Sequence, residues 1–260
     1  MTLIDTHAHL YYDSMYNRLD DVLDDAQKNE VNKVICIGTD VNTSKKSVYI
    51  VNKYDCVYAA VGVHPHDSKS VEKNYLKSLE ELALNSKKVV AVGEIGIDHY
   101  RNLSPADVQK RVMIEQMELA KSLSMPIIFH NRDADKEILD ILKQHSFEKA
   151  LSHCFSSDIN FARQLIDLDI LLSFSGNVTF KNSINRSAIQ EIDLKDFVLE
   201  TDCPFLSPQS FRGKPNEPKR VRDIALYLSD FLDIPLEKIA QETTNTVSYT
   251  HLTLPTILLV

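Results

Sequence analysis

Short apolar runs rich in valine and isoleucine recur along the chain, and segments of helical periodicity separate most of them. The runs are residues 3–5, 33–37, 57–63, 89–95, 126–130, 150–153, 170–174 and 197–201. The segments of helical periodicity are residues 19–29, 75–85, 108–123, 136–143, 160–168, 184–191 and 221–231. Strands that are apolar throughout and alternate with amphipathic helices are typical of a parallel sheet covered by helices.

Eight strands that alternate with helices are the number that closes a (β/α)8 barrel, the TIM barrel fold. A doubly wound open sheet is the alternative, but no GxGxxG motif follows the first strand, which weakens it. The chain has 260 residues, a length that α/β barrels fill as one domain, and no linker or repeat divides it. We therefore predict a single barrel domain over residues 1–246.

The last residues of the chain have a different composition. Residues 247–260 contain no Asp, Glu, Lys or Arg and are rich in β-branched residues, unlike a charged surface helix. We interpret this tail as an atypical, foreign segment such as read-through sequence. We predict that it lies outside the barrel core, irregular or loosely docked, and contributes little to the site.

Charge and cysteine content narrow the functional classes. The formal net charge of −8 argues against a protein that coats nucleic acid with a basic surface. It leaves room for an enzyme that acts on nucleic acid, because bound divalent cations add local positive charge. The four cysteines are scattered and form no CxxC pair, so we expect reduced thiols. Without a signal-peptide pattern or an apolar run of membrane length, we expect a cytoplasmic protein with no membrane or obligate protein partner.

Histidine and carboxylate residues stand at the ends of the predicted strands, where the active site of such a barrel lies. His7 and His9 are two residues apart, so both side chains point to one side and can reach one ion. An isolated HxH pair is equally explained by histidines that pack at a strand end. Six groups share this position, however: His7, His9, Glu94, His130, His153 and Asp202. Burying so many imidazoles and carboxylates without partners is costly, so the set predicts a site for divalent metal ions.

Seven motifs follow one another in order: IDTHAHL at 4–10, VGVHPH at 61–66, VGEIGID at 92–98, PIIFH at 126–130, SHCFS at 152–156, LETDCP at 199–204 and RGKPNEP at 212–218. Together they resemble the TatD family of metal-dependent deoxyribonucleases, within the amidohydrolase-like barrels. The resemblance extends from residue 3 to about Thr246 and does not include the tail.

This resemblance implies two divalent cations, Zn, Mn or Mg, and a distribution of their ligands. The first cation would be held by His7, His9 and Asp202. The second would be held by His130 and His153. Glu94 would bridge the two, as a carboxylate can when ions lie roughly 3.5–4 Å apart.

The resemblance also implies which residues act on the substrate. Asp202 is similar to the aspartate that orients or deprotonates the attacking water, and with Glu94 it is an expected catalytic residue. His64 is similar to a residue that either binds the substrate phosphate or contacts a metal-binding residue without binding the metal itself. Arg132 could hold phosphates and Tyr11 or Tyr12 could stack on a base, although surface solvation and loop packing explain these residues as well.

Two enzymatic functions follow from this reading. The first is hydrolysis of phosphodiester bonds in DNA, as by a 3'-5' exonuclease, which would place the enzyme among hydrolases of ester bonds (EC 3.1). The alternative is hydrolysis of a small amide, lactone or cyclic amide by the same barrel. Such amidohydrolases often use a carboxylated lysine as the bridge on strand four, where this chain has Glu94, and this favours the first function. A barrel that binds metal without catalysis is disfavoured, because every position expected to hold a metal ligand has a residue that can serve as one.

Overall fold

The computed structural model describes residues 1–147 and 149–248, and its centre is a sheet of eight parallel strands in the order β1 to β8. The strands are β1 (Leu3–Ala8), β2 (Val31–Ile37), β3 (Val57–Val61), β4 (Val89–Asp98), β5 (Ile127–Arg132), β6 (Ala150–Ser152), β7 (Ile170–Phe174) and β8 (Phe197–Leu199). Every strand pairs with its neighbour in sequence, which confirms the predicted TIM barrel.

Ten α-helices in the described part of the chain surround the sheet. They are α1 (Asp13–Tyr16), α2 (Leu19–Lys28), α3 (Val41–Val51), α4 (Tyr75–Asn85), α5 (Ala106–Ser122), α6 (Asp135–His145), α7 (Ile159–Ile166), α8 (Asn185–Ile189), α9 (Arg220–Leu232) and α10 (Leu236–Val247). Seven of them match the segments predicted from periodicity.

The helix α3 was missed by periodicity, and its start explains why it forms. Its sequence is rich in β-branched residues and serine, which are indifferent helix formers. The Asp40 side chain accepts a hydrogen bond from the Thr43 backbone, and the Thr43 hydroxyl accepts one from the Asp40 backbone. This reciprocal capping box satisfies the first backbone groups of the helix and compensates for its weak propensity.

The barrel closes where β1 meets the segment that follows β8. A single bridge joins Ala8 to Cys203, with backbone hydrogen bonds on either side of it. Below this bridge the buried Asp5 carboxylate accepts hydrogen bonds from the backbone N–H of Thr201 at 2.8 Å and from its hydroxyl at 2.6 Å. The seam therefore relies on side-chain hydrogen bonds as well as on a strand ladder.

Apolar side chains fill the inside of the barrel, as expected for a packed core rather than a pore. This inner cluster consists of Ile4, Ile35, Ile37, Ala60, Val90, Ala91, Ile128, Leu151, Val198 and Val247. Two further clusters lie between the sheet and the helices. Within the described residues, the helices are all too short or too polar to cross a membrane. The cytoplasmic location stays a prediction.

The tail prediction is wrong for its first residue. Val247 ends α10, is 1% exposed and belongs to the inner cluster of the barrel. The amphipathic pattern of α10 explains this, because Ile239, Ala240, Thr243 and Val247 share one buried face. The predicted boundary after Thr246 thus falls inside a helix. Residues 249–260 lie outside the described residues, and their placement stays a prediction.

We expect Val247→Ala to destabilise the barrel by about 2 kcal/mol, because it removes buried methyl groups and leaves a cavity in the inner cluster. Chemical denaturation followed by circular dichroism measures this. Leu84→Ala is the matched control, since Leu84 is 68% exposed on α4 and its truncation should change stability by less than about 0.5 kcal/mol. Equal stability of the Val247→Ala variant and the native chain would contradict the packing of Val247 in the core.

Candidate metal centre

The closing seam of the barrel brings the two histidines of β1 next to Asp202. The Asp202 backbone N–H donates to the carbonyl oxygen of His7 at 2.9 Å, which fixes the loop after β8 against β1. The Nε2 atoms of His7 and His9 lie 3.9 and 3.4 Å from Asp202 Oδ1. The predicted convergence of the HxH pair on one point is therefore present in the structure.

Glu94 reaches the same point from inside β4, not from its end as the sequence suggested. The strand continues to Asp98, and its register with β5 shifts between Val92 and Ile95. A bulge of this kind redirects a side chain without ending the strand. His130 likewise lies two residues before the end of β5, whereas Asp202 follows the end of β8 by three residues.

Glycine permits the close packing of strands at this bulge. A methyl group on Gly62 of the loop after β3 would lie 2.6 Å from the carbonyl carbon of Gly93, a distance that real side chains do not adopt. A methyl group on Gly93 would lie 2.6 Å from the carbonyl oxygen of Ile128 in β5. The glycine that precedes Glu94 is thus required by the neighbouring backbone.

The Glu94 carboxylate lies at the centre of four imidazoles. Its contacts are Oε2 to His7 Nε2 (3.4 Å), and Oε1 to His130 Nδ1 (3.2 Å), His64 Nε2 (3.4 Å) and His153 Nε2 (3.6 Å). The two oxygens therefore face different histidines. With Asp202 beside His9, the other five predicted ligands are brought together around Glu94.

In three of the histidines, the ring nitrogen that points away from the centre faces an oxygen atom. His9 Nδ1 hydrogen-bonds Ile37 O (3.0 Å) and His130 Nε2 hydrogen-bonds Asp98 Oδ2 (3.1 Å). His153 Nδ1 lies 2.9 Å from Glu200 Oε1 as an ion pair that lacks hydrogen-bond geometry. A carbonyl or ionised carboxylate oxygen accepts only, so the ring nitrogen that faces it carries the proton. Where the outer nitrogen carries the only proton of the ring, the inner nitrogen can offer its lone pair to a cation at the centre, as in histidines that bind metals.

His7 provides the most direct test of whether a cation fits. Both of its ring nitrogens are buried and have no hydrogen-bond partner. A buried imidazole without partners is costly, and a cation at Nε2 would remove part of that cost. The Nε2 side also lies near His9 and Glu94, whose ligand atoms and that of His7 are all within 4.8 Å of one another. The residues therefore fit a divalent metal ion.

The charge distribution favours a cation as well. Burial alone would raise the pKa of Glu94, but His64, His153 and a hydrogen bond with His130 hold it well below its usual range. Burial opposes a proton on His153, yet the Glu200 and Glu94 carboxylates outweigh burial and raise its pKa to about 10. Carboxylates that attract a proton this strongly also attract a divalent cation.

His64 differs from the other histidines of the centre. The His66 backbone N–H donates to His64 Nδ1 at 3.1 Å, so the proton of the neutral ring is on Nε2, the atom that faces Glu94. Burial lowers the pKa of His64 to about 4, which keeps the ring neutral at neutral pH. The Nε2 atom is close enough to Glu94 and His130 for ligation, but a protonated nitrogen donates a hydrogen bond instead. This favours a role other than metal ligand.

The centre opens into a cavity of about 690 Å³ at the carboxyl ends of the strands. A model of the TatD-related DNase family matches residues 4–250 of the chain. This covers nearly the whole sequence and includes the six residues of the centre. The chain belongs to the TatD family of metal-dependent hydrolases. The fold and the convergence of these residues at the strand ends agree with that membership.

TatD relatives and solved TatD structures are similar over almost their full lengths. The metal-dependent hydrolase YabD of Bacillus subtilis is 38% identical over 245 residues, covering 93% of this chain and 96% of YabD. YcfH of Escherichia coli K12, also a metal-dependent hydrolase by name, is 35% identical and covers 94% of each chain. The crystal structure of YjjV, a TatD homologue from E. coli K12, superposes with a TM-score of 0.92 at 28% identity, covering 97% of this chain and 98% of YjjV.

Sequence reasoning missed the carboxylates behind the histidines of this TatD centre. Asp98 contacts both His130 and His66, the latter at 2.8 Å, and Glu200 contacts His153. Both carboxylates are fully buried. A signal for them existed, because Asp98 is four residues after Glu94 and Glu200 is two before Asp202, the spacings that share a face in extended chain.

We expect Asp98→Asn to weaken metal binding about 10- to 100-fold. The negative charge of the Asp98 carboxylate orients the His130 ring and makes that ring more basic, and the amide lacks this charge. Competition titration with a chromogenic chelator measures this affinity. Asp193→Asn is the matched control, since the Asp193 side chain is 77% exposed, pairs with Lys195 and lies before β8, at the opposite end of that strand from the centre. Unchanged affinity in Asp98→Asn would show that His130 needs no support from this carboxylate.

Proposed function

We propose that this TatD-family protein hydrolyses phosphodiester bonds in DNA, in the manner of a 3'-5' exonuclease, with two divalent cations. The observation that carries the proposal is the Glu94 carboxylate, whose two oxygens face different sets of histidines. Such a shared carboxylate suits a pair of ions, and paired ions are characteristic of phosphatases and nucleases. The matching family model is itself described as a DNase family.

The contacts around Glu94 support two sets of ligands. His7 faces one oxygen of Glu94, and His9 and Asp202 lie beside His7, so these three would hold the first cation. His130 and His153 face the other oxygen and would hold the second. When bound, Zn, Mn or Mg ions at these positions make a coordinated water more acidic and neutralise charge on the phosphate.

Asp202 is suited to receive the proton of the attacking water. Burial would raise its pKa, but a hydrogen bond with His9 and the charges of His153 and His7 lower it, so the carboxylate is ionised at neutral pH. Both side chains line the cavity, but that of Asp202 is 13% exposed and that of Glu94 only 4%. Asp202 can therefore orient a water molecule toward the substrate and accept its proton.

His64 is suited to bind the substrate phosphate. Its Nε2–H group lies beside Glu94 and the ring lines the same cavity. A neutral imidazole that donates at this position can hold a phosphate oxygen as negative charge grows during attack. The backbone hydrogen bond at Nδ1 keeps this donor in place.

We expect chelation to abolish hydrolysis and divalent cations to restore it, because the proposed reaction needs the ions at Glu94. The metal-depleted protein is assayed on a single-stranded oligodeoxynucleotide before and after addition of Zn, Mn or Mg. The same preparations are assayed on lactone, amide and cyclic amide panels. Full activity after exhaustive metal removal would contradict the mechanism, and turnover of an amide or lactone alone would support the alternative hydrolase.

The variants Glu94→Ala and Asp202→Asn should separate metal binding from chemistry. We expect Glu94→Ala to lose both ions, because it removes the shared ligand. We expect Asp202→Asn to keep much of the bound metal while kcat falls about 100- to 10,000-fold, as for the loss of a general base. Metal content by atomic emission and single-turnover rates are measured, with Asp193→Asn as the control. Equal loss of metal in both variants would argue against a separate catalytic role for Asp202.

A further inference from the structure

Two exposed aromatic rings stand at the rim of the cavity beside the metal centre. Tyr12 follows His9 by three residues, and Phe205 follows Asp202 by three residues. Both rings line the cavity with the candidate ligands, and they remain 41% and 46% exposed. Neither has a role in the metal centre or in the proton transfer described above.

These rings form a right-angled corner that we call the aromatic shelf, composed of Tyr12 and Phe205. Their centroids are 5.5 Å apart and their planes meet at 85°. Each ring also contacts His9 edge-on, with centroids 6.1 Å apart. A flat molecule stacked on one ring would therefore meet the other ring at its edge, close to the ligand His9.

The backbone and a buried neighbour hold the shelf in position. Tyr11 is buried, hydrogen-bonds His9 and Thr39, and stacks on Tyr12 with centroids 5.3 Å apart. The Phe205 backbone N–H donates to the carbonyl oxygen of Asp202 at 2.9 Å. One face of Tyr12 is thus covered from behind, and the shelf is fixed relative to the residues that would hold the first cation.

The opposite side of the mouth carries positive charge. Arg101 follows β4 and Arg132 ends β5, and both line the cavity. In an eight-stranded barrel these strands lie across from β1 and β8, which present the shelf. The Arg132 guanidinium is 4.0 Å above the ring of Tyr100, which restricts its movement. Flat rings on one side and guanidinium groups on the other suit a ligand with bases and phosphates.

We propose that the Tyr12–Phe205 shelf binds the base of a nucleotide next to the scissile phosphate and so favours nucleic acid over small phosphodiesters. This rests on the proposed function, because the scissile phosphate must lie at the metal centre. Every nucleobase has a flat face, so the shelf accepts any base and confers selectivity for a nucleotide rather than for a sequence. Tyr12 supplies a supported ring face, and Phe205 closes the edge of the site.

The test is a double-mutant cycle between the shelf and the base. The substrates are one oligodeoxynucleotide, intact or with a tetrahydrofuran abasic residue at either nucleotide that flanks the cleaved bond. For the wild-type protein with its metals, we expect the abasic change at the stacked nucleotide to raise KM about 5- to 150-fold, the range for loss of one stacked base. The double variant Tyr12→Leu/Phe205→Leu should show the same rise on the intact substrate and no further rise on the abasic one.

The control variants distinguish stacking from general damage. Tyr12→Phe and Phe205→Tyr keep a flat ring and should retain the wild-type KM. Tyr49→Leu removes a ring that is 51% exposed on α3 and should change nothing. The metal content of the double variant should equal that of the wild type, and kcat should fall much less than kcat/KM, because stacking contributes to ground state and transition state alike.

Three outcomes would contradict the proposal that the shelf binds a base. If the double variant loses the same factor on intact and abasic substrates, the rings do not contact the base. If its KM is unchanged while DNA is hydrolysed, the shelf has no role and the proposed function still stands. If the metal-loaded wild type hydrolyses no phosphodiester at all, the proposed function fails and the shelf fails with it.

Discussion

The Glu94 carboxylate lies buried among four imidazoles, and a buried charge is tolerated only where charged or hydrogen-bonding partners surround it. Much of the architecture around the mouth meets this requirement. The bulge in β4 turns Glu94 toward the axis, and glycines at 62 and 93 let the neighbouring backbones approach. Asp98 and Glu200 lie behind the His130 and His153 rings, so that the inner nitrogens of these rings converge with Glu94 on one small volume.

Closure of the barrel is the second condition for the centre. His7 and His9 come from the first strand and Asp202 from the segment after the last, so they meet only when the seam forms. Asp5 and Thr201 join the seam below the centre by hydrogen bonds that are fully buried. The inner cluster, which includes Val247 from α10, fills the barrel beneath it. Apolar packing inside the barrel stabilises the fold, so the residues at the strand ends can be polar and can form an active site.

The arrangement separates the chemistry of the centre from the recognition of a substrate. Residues that face Glu94 are buried, apart from the partly exposed His130, whereas Tyr12, Phe205, Arg101 and Arg132 lie at the rim of the cavity. TatD relatives with 35–38% identity over nearly the whole chain are metal-dependent hydrolases by name, and rim residues of this kind are where substrate selectivity can differ between such enzymes.

The sequence alone predicts the barrel and the six residues that converge at its mouth. Apolar runs alternating with helices identified the parallel sheet, and His and carboxylate residues at the ends of those runs identified the mouth. Periodicity overlooked α3, whose stability comes from the Asp40–Thr43 capping box, and it placed Val247 outside a core that α10 in fact fills. Local pattern carries no information about which distant surface covers a residue.

How the residues of the centre act on one another depends on contacts in the folded barrel. The bulge at Glu94 and the support of His130 by Asp98 depend on contacts between β4 and β5. The proton on Nε2 of His64 depends on the turn after β3, where the His66 backbone N–H donates to Nδ1. Tyr11 and Tyr12 are adjacent and chemically alike, yet one is buried behind His9 and the other forms the rim with Phe205. Their difference arises from the closure of the barrel, which brings the loops after β1 and β8 together.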